Sequence, residues 1–240
     1  KGNKGGNVAD NNNVVSGGKC KIIYYYHIPK TGGGSIVRYF GHTEGVRLLR
    51  YESTMYVPPA NKTLYYWEHE SNDAHWDKYI VPQALKPGLN FIAHHWGRYG
   101  MLQMRQRLDD LREKAAKNGC EVMASTTLRE PVERDISDEI FRRITGVSSK
   151  TYLGDEQLRF LLINSQNTSP MCVEKFQNSP TMRDRALEVS KRILKNQFEL
   201  VAVIDDLEHQ KNAFLEFFGF PTSEEIAAAE VKDGKSKAPS

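Results

Sequence analysis

The stretch KIIYYYHIPKTGGGSIVRYF, residues 21–40, constrains the fold more than any other. Its first eight residues are apolar or aromatic almost without a break, the pattern of a buried strand. A proline, a lysine and three glycines follow, and a helix-like run begins at about Ser35. Strand, glycine loop and helix in that order make a βα unit, whose loop opens at the carboxyl edge of a sheet.

The rest of the chain repeats the alternation. LNFIAHHW reads as a second strand, and GMLQMRQRLDDLREKAAKNG as an amphipathic helix closed by Gly119. EVMASTTLRE reads as a third strand, and PVERDISDEIFRRI as a helix with Pro131 in its first turn, where a missing N–H costs nothing. QLRFLLIN and SPTMRDRALEVSKRILKNQ look helical, FELVAVID is a strand, and LEHQKNAFLEFFG is a helix ending at Gly219. Such alternation predicts an α/β fold, a P-loop-like three-layer arrangement with a central, mainly parallel sheet flanked by helices. The Gly/Asn-rich residues 1–18 have almost nothing to bury and read as a disordered leader. Residues 19–228 form the expected domain, and 229–240 a flexible tail. Residues 52–80 are irregular and aromatic, an expected insertion or lid.

With 240 residues, 39% hydrophobic and 26% charged, the chain is long enough for one sizeable core. A net charge of +3 sets it apart from polycations that coat nucleic acid, so no nucleic-acid partner is expected. Cys20, Cys120 and Cys172 lie far apart with no CxxC pairing, which argues against a zinc site. One disulfide with a free thiol suits a secretory lumen, and three thiols suit the cytosol. No apolar run is long enough to span a bilayer, so any membrane anchor would lie upstream of Lys1. Two glycosylation sequons are present, at Asn61 and Asn167.

The first loop has the chemistry of an anion cradle. Gly32, Gly33 and Gly34 let backbone amides approach a phosphate, Lys30 adds a cation, and Thr31 and Ser35 add hydroxyls. It is not a Walker A loop, because Lys30 precedes every glycine instead of following the last. A kinase or NTPase, which would also need a magnesium-binding carboxylate at a strand end, is the weaker class. The second loop repeats the design, with Arg129 at a strand end and Ser137 about two helical turns beyond. Two anion loops on one sheet suggest a ligand with phosphates at both ends.

HIPKTGGGS followed downstream by LREPVERDIS resembles the Golgi carbohydrate sulfotransferases related to the heparan sulfate 2-O- and 6-O-sulfotransferases. FELVAVIDDLEHQKNAFLEFFGF is similar to that family's closing strand and helix, and the likeness spans roughly residues 20–220. It implies use of 3′-phosphoadenosine 5′-phosphosulfate (PAPS) as co-substrate, without a metal. The resemblance places Lys30, Thr31, Gly32, Gly33, Gly34 and Ser35 around the 5′-phosphosulfate, with His27 nearby, and Arg129 and Ser137 on the 3′-phosphate. It also implies a histidine base in NFIAHHWGRYG, with His95 favoured by alignment and His94 selected by a one-residue shift. Two positions depart from the pattern: Gly34 stands where Thr or Ser is usual, and Asp135 where an aromatic is common. The implied reaction is in-line transfer of a sulfuryl group to a hydroxyl of a glycan acceptor, in the Golgi lumen. A non-catalytic PAPS-binding module is the third alternative.

Overall fold

Parallel strands cannot be joined by tight turns, so each must be followed by a crossover that covers a face of the sheet. The computed structural model, which describes residues 20–52, 72–95, 100–145, 156–162, 179–204 and 207–220, is built on that rule. Strands β1 (Cys20–His27), β2 (Val46–Glu52), β3 (Leu89–His95), β4 (Cys120–Arg129) and β5 (Leu200–Ile204) form one sheet in the order β2-β3-β1-β4-β5. Every neighbouring pair is parallel. The expected leader, the tail, both sequons, Cys172 and residues 53–71 of the aromatic segment lie outside the described residues.

Helix α1 (Gly33–His42) follows β1. The segment α2 is three consecutive pieces: Asn72–His75, a π-helical turn Trp76–Ile80, and Val81–Ala84. Helix α3 (Met101–Lys117) follows β3, and α4 (Pro131–Thr145) follows β4. Helices α5 (Glu156–Leu162) and α6 (Pro180–Gln197) precede β5, and α7 (Leu207–Phe218) comes after it. Right-handed crossovers put α1, whose connection runs outward to β2, on the opposite face from the connections running the other way. The two cores record this. Ile36, Val37 and Phe40 of α1 pack with Phe214, Leu215 and Phe218 of α7 on Ile23 and Tyr25. On the other face, α2, α3, α5 and α6 bury Trp76, Met104, Leu108, Leu161 and Ile193 against Ile22, Tyr24 and Ile92.

The three consecutive tyrosines of β1 alternate between these cores, and each finds a hydroxyl partner, as buried phenols require. Tyr24 meets His94 Nδ1 at 2.6 Å, Tyr25 meets Thr127 Oγ1 at 2.7 Å, and Tyr26 donates to the Phe160 carbonyl. Burial pushes all three phenols up from their ordinary range.

Two elements depart from the sequence expectation. Strand β2 was not foreseen; among the described residues it is an edge strand paired to β3 alone, and Arg47 and Arg50 interrupt its apolar pattern. The end of the aromatic segment is helical from Asn72, and its Trp76 is buried against Tyr24 and Tyr51.

At the amino edge of the sheet, Cys20 and Cys120 face each other across β1 and β4 and form a disulfide between residues 100 apart in sequence. Cross-links closing loops of that size commonly contribute about 2–4 kcal/mol, mainly by restricting the unfolded chain. Replacing both cysteines by serine is expected to lower the unfolding free energy by about that amount in urea titration. Dithiothreitol should produce the same loss in the wild type and no further loss in the double variant.

Candidate anion-binding site

The carboxyl ends of β1 and β4 lie side by side, with Tyr26 level with Thr126. From β1 the chain leaves towards β2, and from β4 it leaves towards β5, so the strand order reverses between them. That is where open parallel sheets hold ligands. The first loop and the Arg129 loop both open there.

The first loop turns sharply. Lys30 has φ 67°, the left-handed region, and is the one non-glycine residue with positive φ among the described residues. Gly32, at φ 72°, precedes α1 as its N-cap. Among the described residues no side chain caps this helix, and its first turn holds no acidic residue. The positive end of α1 is therefore open to an outside anion. Gly33 is buried, and a Cβ there would lie 2.5 Å from the Tyr25 hydroxyl and closer to the His27 ring, so the close approach requires glycine. Gly34 is exposed with open space around it, so nothing steric demands glycine at the position that departs from the family pattern. Ser35 is exposed in the same first turn.

Thr31 differs from its neighbours. It is fully buried, donating to the Ile28 carbonyl at 2.7 Å and meeting Thr127 Oγ1 at 2.9 Å. Its hydroxyl thus ties the loop to β4 and is not turned outward as a phosphate donor; only its backbone remains for that role.

Arg129 closes β4. Its backbone exchanges hydrogen bonds with the Gln157 side chain, at 2.9 and 2.6 Å, which docks α5 against the loop. Its guanidinium reaches Glu133 at 3.4 Å. Arg129 and Ser137 line one cavity of about 240 Å³, together with Glu133, Ile136 and Ile140. Helix α4 differs from α1 at its start, because Glu130 accepts a hydrogen bond from the Glu133 amide at 2.7 Å.

Lys30 links the two loops. Its ammonium sits over the Phe141 ring of α4, 4.2 Å from the centroid, a cation–π contact. Burial holds its pKa below the ordinary lysine range; Asp138 opposes that shift, while Arg129 and Arg134 reinforce it. A doubly charged phosphate in this place would favour the ammonium form.

The two histidines separate. His94 is fully buried on the α3 face, its ring among Tyr24, Tyr26 and Tyr51. The backbone of His95 ends β3 at the carboxyl edge, level with His27 of β1 and Glu52 of β2, and its side chain lies outside the described part. His27 belongs to a second cleft, of about 450 Å³ between α1 and β2, lined also by Gly34, Arg38, His42 and Arg50. Asp135 pairs with its neighbour Arg134 at 2.9 Å. Among the described residues no group of three or more His, Cys, Asp or Glu side chains gathers as a metal cluster.

Sequence reasoning missed Thr127, Arg134 and Phe141. The signal for Arg134 and Phe141 was their spacing from Ser137 on α4, which puts them near the same loop; Thr127 had none.

No protein-family model matches the chain, and no curated protein is significantly similar to it. Among solved structures it is similar to an uncharacterized protein from Eubacterium ventriosum, with a TM-score of 0.40 and 8% identity over 83% of this chain and 98% of that one. It is also similar to mouse sulfotransferase SULT7A1 complexed with PAP, with a TM-score of 0.38 and 13% identity over 91% of this chain and 67% of that one. Likenesses of this size assign no function, and the site's own geometry has to carry the functional reading.

The loop's packing predicts opposite outcomes at adjacent glycines. Gly33→Ala is expected to cost about 1–3 kcal/mol by overpacking against His27 and Tyr25. Gly34→Ala is expected to leave stability unchanged or raise it by up to about 1 kcal/mol, since alanine loses less freedom in a helix. Urea unfolding of both variants checks the ranking.

Proposed function

We propose that the protein is a PAPS-dependent sulfotransferase acting on a hydroxyl of a glycan. The observation that carries this reading is the pairing of two different anion grips across β1 and β4: an uncapped helix start beside Lys30, and a cavity holding Arg129 and Ser137. That arrangement fits a nucleotide with one anionic group at each end. The apolar side chains of Ile136 and Ile140 in the same cavity suit the nucleoside between them.

In this reading the amides at the start of α1 and the Lys30 ammonium hold the 5′-phosphosulfate, and Arg129 and Ser137 hold the 3′-phosphate. His95 accepts the proton of the acceptor hydroxyl as its oxygen bonds to sulfur. Lys30 stabilises the charge that develops as the bond from sulfur to the 5′-phosphate oxygen breaks. The burial of His94 within three tyrosine rings supports His95 as the base. The cleft with Arg38, His42 and Arg50 lies beside Gly34, and its charge supports an acceptor bearing carboxylate or sulfate groups. The disulfide supports a site of action in the secretory pathway, as such bonds persist in oxidising compartments.

The test is calorimetric titration with 3′-phosphoadenosine 5′-phosphate (PAP) without magnesium. Wild type is expected to bind, and Arg129→Ala and Lys30→Ala to bind about tenfold more weakly or worse. A wild type that fails to bind would overturn the proposal. Transfer from labelled PAPS to uronate-containing oligosaccharides is then expected to fall by about 10²–10⁴ in His95→Ala. Tight PAP binding with no transfer to any hydroxyl acceptor would instead mark a non-catalytic module.

A further inference from the structure

Helix α4 is docked in an unusual way. Its one buried residue is Arg134, 2% exposed, while Val132, Ile136, Ile140 and Ile144 along the same helix are all more than half exposed. Burying a guanidinium is costly unless its donors are met. Here the Nε donates to the carbonyl of Pro29 at 3.2 Å, and a terminal nitrogen pairs with Asp135 at 2.9 Å. An arginine held under the first loop does little for the core that an apolar side chain would not do better. Its contact with Pro29 gives it another purpose.

The Pro29 carbonyl belongs to the peptide plane that carries the Lys30 amide. Because that plane is rigid, holding its oxygen restricts the backbone angle at Lys30 as well. Lys30 is the residue whose left-handed conformation, at φ 67°, a side chain disfavours. Such a conformation persists when its surroundings over-determine it. Seven residues beyond Arg134 on the same helix, Phe141 meets the Lys30 ammonium. Helix α4 therefore holds Lys30 twice, by its backbone through Arg134 and by its side chain through Phe141.

We propose that Arg134 is a positioning residue: through the Pro29–Lys30 peptide it fixes the backbone from which Lys30 reaches the anion site, and so couples the first loop to the helix that carries Ser137. The role rests on the sulfotransferase reading for its ligand, but not for its effect on the loop. Two measurements on Arg134→Met and the charge-conserving Arg134→Lys test it.

The first is amide hydrogen exchange in the ligand-free protein. Exchange over Lys30–Ser35 is expected to rise about tenfold in Arg134→Met, with β1 amides Ile22–Tyr26 unchanged. The second is PAP titration in a double-mutant cycle with Lys30→Ala. Arg134→Met is expected to weaken binding about tenfold when Lys30 is present and less than about threefold when it is absent. A merely structural arginine would cost the same in both backgrounds, and that result overturns the proposal, as does unchanged loop exchange. If Arg134→Met does not fold, Arg134→Lys decides, since lysine lacks the Nε fork and is expected to show the same direction in both measurements. A wild type that binds no PAP refutes the sulfotransferase reading, and loop exchange then decides the role of Arg134 alone.

Discussion

The parallel pairing of β1 with β4 is the constraint on which the rest depends. Its register runs from Cys20 opposite Cys120 to Tyr26 opposite Thr126, so the strands run in step to the same edge of the sheet, β4 two residues further, and their loops open into one crevice. A chain of hydroxyls reinforces it beneath that crevice: Tyr25 meets Thr127, Thr127 meets Thr31, and Thr31 meets the Ile28 carbonyl. Without this pairing, Lys30 and Arg129 would be two ordinary surface cations. With it, both are carried on loops at the mouth of that crevice.

The charges on these loops are partly held by the protein itself. Glu133 lies on Arg129, and the Asp138 carboxylate acts to hold Lys30 charged. The exposed pair of Arg129 and Glu133 is weak by itself, so the carboxylate is no strong rival for an incoming anion. The two helix starts divide the work. Glu130 occupies an amide of α4, whereas among the described residues no side chain caps the start of α1.

Much of this was legible in the sequence, for identifiable reasons. Strands such as KIIYYYHI and EVMASTTLR are apolar over most of their length, and the loop glycines and Arg129 follow them directly, so the βα units and their edge could be read locally. Strand β2 escaped because an edge strand can keep arginines, and VRLLRYE therefore carries no clear period. Thr31 was read as an outward donor because its partner, Thr127, lies 96 positions away in the chain. Arg134 sits on a helix whose apolar residues face solvent, the reverse of the rule by which an arginine is placed outside. The two histidines of β3 had to alternate, but the sequence could not show that His94 is enclosed by tyrosine rings.

The disulfide bears on how such a sheet can assemble. Its central strands come from distant parts of the chain, and contacts of long sequence separation are slow to form because loop closure must precede any gain from them. Cys20 and Cys120 sit at the end of β1 and β4 opposite the Lys30 and Arg129 loops. Once they are joined, the two strands start from a common origin, and pairing can run along them like a zip towards Lys30 and Arg129. Bringing the two loops together then becomes a local event in a chain that would otherwise have to find it across 100 residues.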